Sequence, residues 1–215
     1  MDTIITLDFI FRWGHVLFGI TWIGMLYYFN FVQGAYFKDA SPEGLQDAKA
    51  KLAPRALWWF RWGAAFTFIT GILLWAKLGG GFNNMILLGS VLGTLMFLNV
   101  WLIIWPNQKV ALGLKEGGDA GQAAAKALLA SRTNTLFSAP MLLGMLGSKH
   151  LVGAGTYAMG VPEYSGAGLG IALVIVLLLE LNAVFGKMGP MASVKGVIHC
   201  SIGLAVLFLL LLQLL

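Results

Sequence analysis

Long apolar stretches, separated by short polar or glycine-rich segments, dominate the chain. A helix needs about 20 apolar residues to cross hydrocarbon, and runs of that kind predict helices at about 8–33, 57–78 and 84–105. Gly79-Gly80-Gly81 between the second and third predicts a tight antiparallel hairpin, and Pro106 is expected to end the third. The fourth predicted helix, 119–150, opens alanine-rich and polar and turns apolar after Arg132. Its first turns are expected outside the hydrocarbon, and Pro140 is expected to kink it. A loop from Val152 to Gly166 leads to helices at about 167–185 and 194–215. The pattern predicts an all-α, polytopic transmembrane bundle of about six spans, a single domain over residues 1–215 with no repeat and no soluble domain at either end. Two stripes of small residues, Gly63-Thr67-Gly71 and Gly89-Gly93, are expected to bring the second and third helices close together.

Composition agrees. The 215 residues are 59% hydrophobic and 11% charged, where a soluble domain carries about 25% charged residues. Disorder, a disulfide scaffold and an ordinary soluble enzyme are excluded by that balance. The net charge of +5 is spread along the loops rather than gathered in a patch, so it is read as a topology signal and not as a nucleic-acid surface. Lys38, Lys49, Lys51 and Arg55 lie in loop 1, Lys109, Lys115, Lys126 and Arg132 in and after loop 3, and Lys187 and Lys195 in loop 5. Little beyond Lys77, Lys149 and Arg12 falls on the other side. Basic loops stay in the cytoplasm, so both termini are expected outside, in the inner membrane of a bacterium. The start of the chain does not read as a removable signal. With Cys200 the only cysteine, an intrachain disulfide, a paired-thiolate metal site and a covalent haem motif are all ruled out. The tryptophans near the span ends, such as Trp58, Trp59 and Trp105, read as an interfacial belt.

Ionisable groups inside spans are costly and mark candidate sites. Here they are Arg12 and His15 in the first helix, Arg61 in the second, His150 at the outer end of the fourth, Glu180 in the fifth and His199 in the sixth. His15 lies about 10 Å below the outer end of its helix, and His150 is expected at similar depth. Two imidazoles from different helices suit the axial positions of a haem b, because a neutral ring nitrogen ligates iron and the macrocycle fills an apolar slot. Gly19 and Gly147, one turn from each histidine, would leave room for the porphyrin face, and Arg12 and Lys149 are placed to meet propionates. Each histidine equally fits a hydrogen bond to a neighbouring helix. Glu180 and His199 form a second pair at matching depth, read as a proton path, a metal or second haem site, or a satisfied buried pair. Met141, Met145, His150 and Cys200 offer soft ligands for copper, although methionine more often fills a core.

Several of these residues sit in strings that resemble a known family. Arg12-Trp13-Gly14-His15-Val16 with Thr21-Trp22-Ile23-Gly24 and Tyr27-Tyr28-Phe29 looks like the first helix of the membrane-anchored urate oxidase N-terminal family. Trp59-Phe60-Arg61-Trp62 is similar to its Trp-Phe-Lys-Trp segment, and Asn99-Val100 through Ile104-Trp105-Pro106-Asn107-Gln108 to its Asn-Val and Ile-Pro-x-Gln stretch. Arg132, Asn134, Pro140-Met141-Leu142 and Ser148-Lys149-His150 are similar to its Arg, Asn, Leu-Pro-Val-Leu and Ser-Asn-His helix, although the extra helices that the family carries between its second and third motifs are missing here. The resemblance runs from about Phe11 to Leu151. It implies a polytopic inner-membrane protein tied to urate oxidation and to electron flow into the respiratory chain, with His15 and His150 at the family's histidine positions. Two other histidines of the family pattern are replaced, by Leu57 or Trp58 and by Thr133, and the family's cytochrome c domain is not expected here.

The leading expectation is a haem b protein for electron transfer, ligated by His15 and His150, serving as a small subunit of a redox complex or as donor to a separate periplasmic cytochrome c. The alternative is an oxidase of urate or a related purine, whose anionic substrate would be met by Arg55, Arg61, Asn99, Arg132 and Asn134. Copper handling and a cofactor-free structural subunit are the remaining readings.

Overall fold

The computed structural model describes residues 6–78, 82–153 and 166–215, and apart from turns these are helical, with no strand among them. The hairpin glycines 79–81 and most of the loop expected from Val152 to Gly166 lie outside the described residues. The chain divides into two compact units, Met1–Gly79 with Phe97–Ser131, and Gly80–Met96 with Arg132–Leu215.

The first unit begins at Thr6, whose hydroxyl accepts from the backbone N–H of Phe9 at 3.2 Å and caps helix α1 (Leu7–Tyr27). The chain then passes through a π-helical segment, Tyr28–Gln33, into α2 (Gly34–Asp39) without leaving the helical path. Ser41 starts the next run: its Oγ accepts from Gly44 N and Pro42 takes the first turn, where no N–H is needed. From there α3 (Pro42–Asp47), a second π-helical segment (Ala48–Leu52) and α4 (Ala53–Trp75) form one rod. The predicted loop before residue 57 is thus helical. Its alanines, lysines and leucines are good helix formers, and an ion pair between Lys51 and Asp47 one turn apart supports them.

α1 packs along α4. A Cβ at Gly63 would lie 3.1 Å from the backbone nitrogen of Trp22, so the Gly63-Thr67-Gly71 stripe serves the first helix and not, as expected, the third. Phe18 against Phe66 and Phe29 against Phe60 fill the same seam, with ring centroids 5.0 and 5.4 Å apart.

α5 (Asn84–Leu98) continues through the π-helical segment Asn99–Ile104 into α6 (Trp105–Ala111). Pro106 therefore does not end this helix. It falls in the first turn after the wide segment, a position that tolerates a missing donor.

In the second unit the Gly89 stripe of α5 faces α7 (Ala120–Gly153), where a Cβ would lie 3.0 Å from Met145 N. Pro140 sits inside α7 and leaves the Leu136 carbonyl without its usual donor. Ser201 of α9 (Val194–Leu214) supplies one: its Oγ donates to Leu136 O at 2.9 Å and lies 3.0 Å from Thr135 O. A side chain on a neighbouring helix thus repairs the proline break. α8 (Gly166–Phe185) pairs with α9 through Gly168, whose missing side chain admits the Leu211 backbone.

Among the described residues, five helical runs are long and apolar enough to cross a membrane: Leu7–Asp39, Pro42–Trp75, Asn84–Ala111, Gly166–Phe185 and Val194–Leu214. With large apolar side chains such as Trp13, Ile20, Leu102, Leu178 and Phe185 exposed along them, this is a multi-pass membrane protein whose outer surface meets lipid. The expected fourth span, α7, is not among the five, although its 34 residues are long enough. Its middle is polar, with Ser131, Arg132, Thr133, Asn134, Thr135 and Ser138 all buried.

Candidate functional site

His15 lies in the first unit, half-buried on the α1 face that packs against α4. Its Nδ1 is 3.1 Å from Thr70 Oγ1. The Thr70 hydroxyl has one hydrogen, and its oxygen lies 2.6 Å from the Phe66 carbonyl and 3.0 Å from that of Thr67. With that hydrogen on the helix backbone, the Thr70 oxygen is placed to accept from His15 in the tautomer that carries the proton on Nδ1 and keeps the lone pair on Nε2. This is the arrangement by which a hydrogen bond on one imidazole nitrogen prepares the other as a metal ligand.

Gly71 makes room for the ring, since a Cβ there would come 3.2 Å from His15 Cε1. At Gly19 a Cβ would meet only Thr67 Cγ2, at 4.0 Å. One turn before His15, the ammonium of Lys77 lies 5.3 Å from the centre of the Phe11 ring. Arg12 is held by Asp8 through bonds of 2.6 and 3.3 Å on an exposed face, so its guanidinium already has a carboxylate. The residue pattern alone did not single out Thr70 or Lys77. The signal for Thr70 lay in the small-residue stripe of α4, which has a partner helix and hence a half-buried threonine beside it.

His150 belongs to the second unit, where it and Lys149 are exposed near the end of α7. That end is tied to the start of α5 by Asn83, which donates to Ser148 O at 3.1 Å and accepts from Ile86 N at 3.0 Å. The space beside Gly147 is taken by the terminal methyl of Met85 and by Leu151, so a porphyrin face there requires the flexible Met85 side chain to move. Glu180 is half-buried on α8, and His199 is exposed on α9. Met141 and Met145 pack over Gly93, and Cys200 is half-buried on α9. No group of three or more His, Cys, Asp or Glu side chains placed to hold a metal ion occurs among the described residues.

The residues expected to meet an anionic substrate divide between the units. In the first, Arg55 is exposed, Arg61 stacks over Trp105 at 4.0 Å, and Asn99 is buried in the π-helical segment. In the second, Asn134 is fully buried and donates to Met96 O at 2.9 Å. Arg132 is 8% exposed, and its Nε and Nη1 find no protein acceptor. Among the described residues, other buried polar atoms without a protein partner are Trp22 Nε1, Asn30 Oδ1, Gln33 Oε1 and Trp101 Nε1, all in the first unit.

Residues 76–161 match the family model for the N-terminal region of urate oxidase. The matched stretch holds Asn99, Arg132, Asn134, Pro140 and His150, and it starts after the helices that carry His15 and Thr70. The chain has no match among curated proteins or among solved structures.

Proposed function

We propose that this membrane protein binds haem b and carries electrons within the bilayer, with His15 as an axial ligand. The observation that carries the reading is the hydroxyl of Thr70, bonded to the Phe66 carbonyl and 3.1 Å from His15 Nδ1, which favours the tautomer with its lone pair on Nε2. Bound haem would supply a one-electron iron couple. Thr70 orients the imidazole and raises its basicity, Lys77 offers a cation for a propionate, and Phe18 and Phe66 keep water from the seam. On this reading α7 is a sixth crossing, the membrane is the bacterial inner membrane, and the electron partner is a periplasmic cytochrome c or another subunit of a redox complex.

The test is an absorption spectrum of the full chain purified from haem-replete cells. Wild type should show reducible b-type Soret and α bands, and His15→Leu should lose them while keeping its helical circular dichroism. An unchanged spectrum in that variant, or a wild type without bands after haem addition, overturns the proposal.

A second reading, oxidation of urate or a related purine, is favoured by one observation: the buried Arg132 guanidinium with two donors unmet. Such a group favours an anion, because an unpaired buried charge is costly. Urate added to wild-type membranes would then reduce the haem, and Arg132→Leu would abolish that reduction with the haem spectrum intact. Haem that stays oxidised with urate leaves the carrier reading alone.

A further inference from the structure

The second unit contains a cavity that neither reading uses. It has a volume of about 460 Å³ and lies where α8 gives way to α9, walled by Leu136, Leu179, Leu204 and Leu207 with Cys200 and Gly203. That volume falls within the roughly 300–1,000 Å³ of small-molecule sites. A Cβ at Gly203 would meet nothing within 4 Å, so the α9 wall stands open along the cavity. Its cationic end is Lys187, an exposed residue of the connection between the two membrane-crossing helices. The backbone there is fixed by Asn182, whose Oδ1 accepts from Lys187 N at 3.2 Å and whose Nδ2 donates to Lys187 O at 3.0 Å.

We propose that this cavity holds an acyl chain of an anionic phospholipid whose phosphate pairs with Lys187. The wall is apolar along its length and the charge sits only where the helices leave the membrane, which is the division of an amphiphile at an interface. Lys195, exposed in the first turn of α9, adds a second cation near the same end of the helix pair. A quinone fits less well. Its two carbonyls need donors within the slot, and the one amide side chain in the wall, Asn182, spends both its oxygen and its nitrogen on the Lys187 backbone. A zwitterionic lipid would place its own cation beside Lys187.

Native mass spectrometry of the detergent-solubilised full chain, titrated with phosphatidylglycerol, phosphatidylcholine or ubiquinone, tests this. Wild type should retain phosphatidylglycerol over phosphatidylcholine, and Lys187→Gln should weaken the phosphatidylglycerol adduct about fivefold, the worth of one near-surface cation. Gly203→Phe, which fills the open wall without meeting protein atoms at its Cβ, should remove the adduct with helicity unchanged. Equal retention of the two phospholipids, an adduct that survives Gly203→Phe, or ubiquinone displacing phosphatidylglycerol from wild type would each overturn the proposal.

Discussion

Gly144→Val should lower the stability of the second unit by about 3 kcal/mol, the upper end of the usual cost of overpacking. A Cβ at Gly144 would lie 2.7 Å from the Met85 carbonyl oxygen and 2.9 Å from both Cα and N of Gly89. These are backbone atoms, so no side chain can swing aside, and α5 and α7 must move apart. Their separation removes the packing of Met141 and Met145 over Gly93 and lengthens the bond from Asn83 to Ser148 O. Helices in lipid associate through such close contact, since apolar burial gives little advantage over lipid tails. Gly170, in the same unit, is the control: a Cβ there meets nothing within 4 Å, so Gly170→Ala should change stability by less than about 0.5 kcal/mol. Thermal unfolding of both variants in detergent decides it. Equal midpoints would show that the helices do not depend on this approach.

The same contact shows where a sequence is informative and where it is silent. Apolar run length alone located α8 and α9 to within about a residue, because both are continuous apolar stretches with clear ends. α7 was legible from its alanine-rich start and the apolar stretch after Arg132, although its polar middle hides it from hydropathy. The glycine stripes were legible as close-packing faces, yet their partners were not. A stripe states how near a neighbour can come and says nothing of which helix it is, so Gly63 was matched to the wrong one. Pro106 was read by its usual effect, which fails when a wide π-helical segment precedes it and places the ring in a first turn.

Long-range polar pairs were the least legible. Ser201 has no motif, and its role exists only because Pro140, some sixty residues earlier, leaves a carbonyl for it to satisfy. For the candidate site, His15 stood out because an ionisable group in a span is rare, whereas Thr70 looks like any other threonine until its hydroxyl is seen between the imidazole and the Phe66 carbonyl.

Thr70 therefore carries the sharpest prediction about haem. Thr70→Val keeps the branched shape and removes the hydroxyl beside His15 Nδ1. The imidazole then loses both its orientation and the tautomer that presents Nε2. Removing a partner of this kind costs about 10–100-fold in affinity, so haem retention in titration of the apoprotein should fall by that factor. Stability should change little, because a threonine hydroxyl bonded back to its own helix contributes little and can even strain it. Thr70→Ser restores the hydroxyl and should restore retention. Thr70 acts as a positioning residue, and the split between haem affinity and melting temperature distinguishes that role from a packing one. If Thr70→Val lowers both together and serine rescues neither, the Nδ1 bond does not prepare the ligand. His15 would then be one more histidine satisfying a neighbouring helix.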